Sequence, residues 1–177
     1  MRLQNGFADT VGAIVIPPWF SPASAEDALR SRDSWVEHWN RAVLDGFSDY
    51  DADGFAAEGE DPIEPADGRS DAEAHADYVE EHLRRPAGAP CTLAFLPVWL
   101  PIVDGSSSGD LFVDLREGPE YGCVRWFERT GGAENGAWSP SVTAMLAETA
   151  DALCNGTPIR GHVQTVDGGG YLWWEKA

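Results

Sequence analysis

Lysine is almost missing from this 177-residue chain: Lys176 stands alone against eleven arginines, and the twelve basic residues face thirty acidic ones, for a net charge of −18. Such an acidic excess argues against nucleic-acid and anionic-membrane binding, because phosphate surfaces are repelled. Cysteine is scarce as well. Cys91, Cys123 and Cys154 are odd in number and lack close metal-ligand spacing, which argues against a disulfide framework and leaves buried free thiols. No apolar run approaches the roughly 20 residues that span a bilayer, and Met1-Arg2-Leu3 lacks the charged-then-apolar layout of a signal peptide. A cytoplasmic protein, without a membrane role, is the expectation. Gly168-Gly-Gly170 is followed by neither the Lys-Ser/Thr of a phosphate loop nor a helix pattern, so it reads as a turn.

What is present is apolar material for one good core: 43% of residues are hydrophobic and eight are Trp, which fits a single domain over 1–177. The charge is uneven. Residues 45–81 hold fourteen Asp or Glu against Arg69, a local excess that attracts basic partners and accelerates encounter by roughly 10- to 1,000-fold at low salt. The plainer alternative is that acidic loops keep the protein soluble.

Along the chain, Val11 to Ile16 reads as a short strand closed by Pro17-Pro18. Ser24, with Asp27 three residues on, opens a helix to about Leu44 whose Leu29, Val36, Trp39 and Val43 share a face widened by Trp35. From Asp45 to Arg69 Gly, Pro and acids take over, predicting a loop. Ser70-Asp-Ala-Glu73 is a capping box ahead of a lightly apolar helix carrying Ala72, Ala76, Val79 and Leu83, so an acidic loop and helix insert spans about 45–86. Ser139-Pro140 opens a helix with Val142, Met145, Leu146, Thr149, Ala150 and Leu153 on one stripe, stopped at Asn155-Gly156. His162 to Val166 and Tyr171 to Trp174 finish as a hairpin.

The densest signal lies between Pro97 and Val124. Leu111, Val113 and Leu115 alternate with Phe112 and Asp114, the period-2 mark of a strand with one more polar face, and Trp99 is expected on the core side. A serine run bracketed by Gly105 and Gly109 supplies the turn before it. A third run, Tyr121 to Glu128, places Val124 and Trp126 on one face and Cys123, Arg125 and Phe127 on the other.

Trp99-x-Pro101-Ile-x-Asp104-Gly105, then Gly109-Asp110, an apolar strand ending at Asp114, and Gly122-x-Val124 together resemble the SUKH superfamily, with Gln4-Asn5-Gly6 similar to the family's early turn. These domains are related to the fungal cell-wall assembly regulator, and in bacteria many are immunity proteins that neutralise polymorphic toxins. Two departures stand out. Cys123 occupies a position where the family usually has Gln, and the sequence opens only four residues ahead of the Asn-Gly turn, where members carry a helical stretch. A naturally short domain and a shortened start are both open.

Four catalytic or metal patterns weigh less. Asp49, Asp51, Asp53, Gly54 and Glu60 match a calcium-loop spacing, yet Ala56 stands where a branched aliphatic belongs and Asp61-Pro62 where the exiting helix should start, which favours a solvated acid loop. Gly105-Ser-Ser107-Ser-Gly109 matches a nucleophile motif but leads into a strand rather than a helix, with His162 downstream. Asp110 and Asp114, four apart on a strand, would be about 13 Å apart, too far for paired acid–base work. His75 and His82 are two turns apart on one helix and read as surface residues.

The expectation is therefore an α+β domain with an antiparallel sheet of about six strands and packed helices. No catalytic residue, metal or cofactor is expected. The resemblance implies a non-enzymatic protein-binding function, an immunity protein occluding the active site of a basic toxin domain; the alternative is a regulatory scaffold like the fungal relatives. Asp49, Asp51, Asp53, Glu58 and Glu60 would steer the partner, with Asp104 and Asp110 near the interface, while Trp99, Pro101, Gly109, Asp114 and Gly122 serve the scaffold.

Overall fold

A computed structural model describes residues 14–41, 70–104, 109–128, 132–133 and 136–177. The architecture is α+β. In chain order the elements are β1 (Ser21–Pro22), α1 (Ala25–Ser34), α2 (Asp71–Arg84), β2 (Trp99–Pro101), β3 (Val103–Asp104), β4 (Gly109–Asp114), β5 (Val124–Glu128), α3 (Val142–Asn155), β6 (His162–Val166) and β7 (Leu172–Lys176). All strand pairs are antiparallel, in three groups: a central β2-β4-β5 sheet, a β1-β3 pair and a β6-β7 ribbon. Pro22 and Pro101 lack the N–H that a ladder needs, so pairing changes hands there. Beyond Pro101, Ile102 still donates to the Leu111 carbonyl at 2.9 Å, and the chain then turns to β1.

β4 is the axis of the core. Every residue in it is buried, because both faces of the sheet are covered. On one face Trp99 lies opposite Asp114, Arg125 opposite Phe112 and Phe127 opposite Asp110, and Phe95, Trp99, Phe112 and Phe127 pack with Trp35 of the first helix. On the other, Leu111 and Val124 pack with Ile16, Phe20, Val103 and Met145 of α3. The face expected to be more polar is thus buried, and its aspartates are enclosed by aromatics.

Sequence periodicity found the helices but misplaced parts of their faces. Ser24 caps α1 by accepting from the Asp27 N–H at 3.1 Å, and α1 then runs into a π-helical turn, Trp35–Trp39. Leu29, expected inside, is 47% exposed; Ala28 is buried in its place. Trp35 decides this: its indole stacks on Phe95 with centroids 5.8 Å apart and meets the Phe127 edge at 5.1 Å, so the helix turns the face of Ala28, Ser31 and Trp35 inward. Val36 remains half-buried as expected; Val43 lies outside the described residues.

The capping box of α2 forms, Ser70 accepting from the Glu73 N–H and Glu73 from the Ser70 N–H. Ala72 and Ala76 are exposed, however, and the inner face comprises Ala74, His75, Tyr78, Val79, His82 and Leu83. For α3 the N-cap is Ser141 rather than Ser139, whose backbone is committed to a bridge with Val124 at the edge of β5. Met145, Thr149 and Ala152 are buried, whereas Leu146 and Ala150 face solvent. Gly156 closes the helix at φ +66°, a left-handed cap suited to glycine. Of the strand expected over Val11 to Ile16, the described end forms a single bridge, Ile16 to Phe20. The last hairpin forms as predicted, with the Asp167 carboxylate accepting from Gly169 and Tyr171.

Candidate functional site

The motif glycines place two carboxylates at opposite ends of β4. Gly109 enters the strand at φ +153°, and a Cβ there would lie 2.0 Å from the Phe127 carbonyl oxygen, so only glycine lets β4 and β5 approach. Gly122, at φ +81°, closes the β4–β5 connection by donating to the Asp114 carbonyl at 2.8 Å. Asp110 and Asp114 are held between these turns.

Asp114 is fully buried, and so in effect are Arg116 and Arg125. Arg116 Nη2 reaches Asp114 Oδ2 at 2.6 Å and Nε reaches Oδ1 at 3.0 Å, with backbone N–H groups of Gly88 and Arg116 adding bonds at 3.0 and 3.1 Å. Arg125 Nη1 stands 3.6 Å away. Burial alone would raise the Asp114 pKa, but the Arg116 bonds and charge together with the Gly88 N–H hold it below the ordinary carboxylate value. Two guanidiniums against one carboxylate leave a positive surplus, met by carbonyls: His82 and Ala89 accept from Arg116, Ala89 and Ala133 from Arg125. Burial also pulls the Arg125 pKa below its usual value. One cluster thereby joins α2, the 86–89 segment, β4 and β5.

Asp110 is 3% exposed and turns inward, accepting from the Trp35 indole N–H and, at 3.3 Å, from the Ser31 hydroxyl. Expected near a partner interface, this carboxylate instead ties α1 and the turn after it to the sheet. Asp104 lies in β3, its backbone paired with Ser21. Trp99 and Pro101 are buried in β2, Trp99 under the Arg116 guanidinium at 5.5 Å. Comparison with family models, curated proteins and solved structures finds no match.

The outward chemistry among the described residues is acidic. Asp71, Glu73, Asp77, Glu80 and Glu81 lie on the exposed side of α2, where Arg84 pairs with Glu80 and Arg85 with Glu81. This helix follows the acidic residues 45–69 in sequence. Asp49, Asp51, Asp53, Glu58 and Glu60, and with them the calcium-like spacing, lie outside the described residues.

The histidines of α2 are buried rather than superficial. His75 Nε2 lies 3.2 Å from the Leu93 carbonyl and His82 Nδ1 2.8 Å from that of Tyr78. Cys91 and Cys123 are buried free thiols as expected, burial pushing Cys91 up to about 11; Cys154 is exposed. Ser107 lies outside the described residues, and the chain beyond Gly109 continues as strand β4, not the helix a nucleophile elbow requires. No described helix is long and apolar enough to cross a membrane.

Sequence reasoning missed Arg116 and Arg125. A signal existed for the second: Arg125 alternates with Val124 and Trp126 and shares a face with Phe127, so burying that face buries the guanidinium. It also demands a carboxylate nearby. For Arg116, in the turn after β4, the sequence carries no comparable sign.

Proposed function

We propose that this chain is a non-enzymatic protein-binding domain of the immunity type, working in the cytoplasm by covering the active site of a basic toxin domain. The observation that carries the reading is the division of charge: the motif carboxylates Asp110 and Asp114 are enclosed, while the outward acids gather on α2 beside the acidic stretch before it. Enclosed carboxylates serve a scaffold. Solvated acids on a rigid helix complement a cleft built to hold phosphates, and they act on encounter rate more than on residence time. The likeness of the 97–124 segment to the SUKH superfamily supports the same assignment.

The test is association with a toxin domain encoded beside this gene, followed by stopped flow. The association rate is expected to fall steeply with salt, and Asp71→Lys with Asp77→Lys to slow it further while leaving the fold intact. A rate indifferent to both would refute electrostatic steering, and the lack of any complex at micromolar concentration would refute the immunity role.

A further inference from the structure

We propose that α2 is an acid-released clamp: neutral His75 and His82 hold it on the core, and their protonation frees the helix while the central sheet stays folded. Three residues of α2 are fully buried, and besides Ala74 they are these two imidazoles, at 6% and 4% exposure. Its other inward side chains, Tyr78, Val79 and Leu83, are half-buried. The grip of the helix thus rests unusually on groups that can gain a charge.

The geometry makes that charge hard to accept. In each ring the nitrogen facing a carbonyl, Nε2 of His75 at Leu93 and Nδ1 of His82 at Tyr78, carries the proton of the neutral form. A second proton goes to the other nitrogen, Nδ1 of His75 and Nε2 of His82, on rings that are largely buried. The His82 ring is stacked on Tyr78 with centroids 3.9 Å apart. Around His82 stand Glu81 and Arg85 of its own helix and, from the turn after β4, Arg116, whose Nη1 donates to the His82 carbonyl. Behind Arg116 lies Asp114, already shared with Arg125. A charged His82 would join Arg85 and Arg116 as a cation, with Glu81 as the anion acting on it. Tyr78 also faces the Cys91 thiol, which stays protonated in this range and supplies no counter-charge. His75 meets the segment before β2 through Leu93, and Asp71 is one turn back on its own helix.

Burial is the leading cause holding both imidazoles below their ordinary value of 6.5. The sign follows. With the folded pKa depressed, the detached state takes protons first, so the clamp is at full strength above pH 6.5 and weakens as pH falls below it toward the folded values. Asp114 resists acid down to below its ordinary 3.8, and the aromatic core does not titrate, so the helix should open first.

Hydrogen exchange on the full chain at about pH 7.5, 6 and 5, corrected for intrinsic rates, tests this. Amides of 71–84 should approach the unprotected rate at the lowest pH while 110–114 and 124–128 keep their protection. Retained protection of α2, or loss of α2 and β4 together, would overturn the proposal. The double variant His75→Gln, His82→Gln should remove the pH dependence; a folded double variant that still opens in acid counts against it. Should that variant not fold, ring NMR of the unaltered chain decides: both histidines must titrate below about 6.5. The experiment needs no partner, so it stands apart from the immunity assignment.

Discussion

Asp110 and Asp114 are the same side chain on the same face of one strand, four residues apart, yet their surroundings differ in kind. Among the donors to Asp110 are the Trp35 indole and the Ser31 hydroxyl, both neutral. Asp114 is met by two guanidiniums and two backbone N–H groups. The first is a point of attachment between a helix and the sheet. The second neutralises buried cations that would otherwise have no anion, and four chain segments converge on it. Burial alone therefore says little about what a carboxylate does; the charge of its donors says more.

Asp114→Asn is expected to have the largest effect, since it strands Arg116 and Arg125: about 3–5 kcal/mol of unfolding free energy, read from urea midpoints. Asp110→Asn keeps an acceptor for Trp35 and should cost about 1–2 kcal/mol. Equal losses would erase the distinction between the two ends of β4. Acid titration separates them again. Because the folded pKa of Asp114 is depressed, its stabilisation is complete above the ordinary value of 3.8 and is lost as pH falls through the lower folded value. In Asp114→Asn that part of the acid dependence should vanish.

Double variants sharpen the same contrast. Asp110→Asn and Asp114→Asn should add within about 0.5 kcal/mol, being separated by most of a strand. Asp110→Ala with Trp35→Phe should instead show a coupling of about 1 kcal/mol, because each change removes one end of a single bond. Additivity in the second pair would mean that the indole contributes through packing against Phe95 and Phe127 alone.

Strands β2, β4 and β5, the caps at Ser24 and Ser70 and the final hairpin were legible because each rests on local rules, alternation, an N-cap hydroxyl, an Asp-Gly turn, whereas β1 was not. Helix faces were less so. Leu29 and Leu146 have the right residue type at the right spacing, but the docking of Trp35 and Met145 elsewhere on their helices sets the rotation, and that is tertiary information. The motif aspartates were located but not their orientation, since nothing local tells an inward carboxylate from an outward one. His75 and His82 were misread for a related reason: Ala74, Val79 and Leu83 flank them on the inner face of α2, and an apolar stripe can include imidazole when a carbonyl waits opposite.

The exposed counterpart of the Asp114 site is the Arg160–Glu148 pair, at 3.3 Å, with the guanidinium also over the Trp138 ring at 4.4 Å. The chemistry is the same, carboxylate with guanidinium, but solvent reaches both partners and the ring contact survives loss of the acid. Glu148→Gln should therefore cost only about 0–1 kcal/mol. Salt distinguishes the two sites further: at about 1 M the Debye length falls to about 3 Å, so the Glu148 effect should disappear while that of Asp114→Asn persists. A Glu148 effect as large as that of Asp114, or one that survives such salt, would mean that donor charge rather than its combination with burial governs these pairs, and the contrast between the two ends of β4 would need another cause.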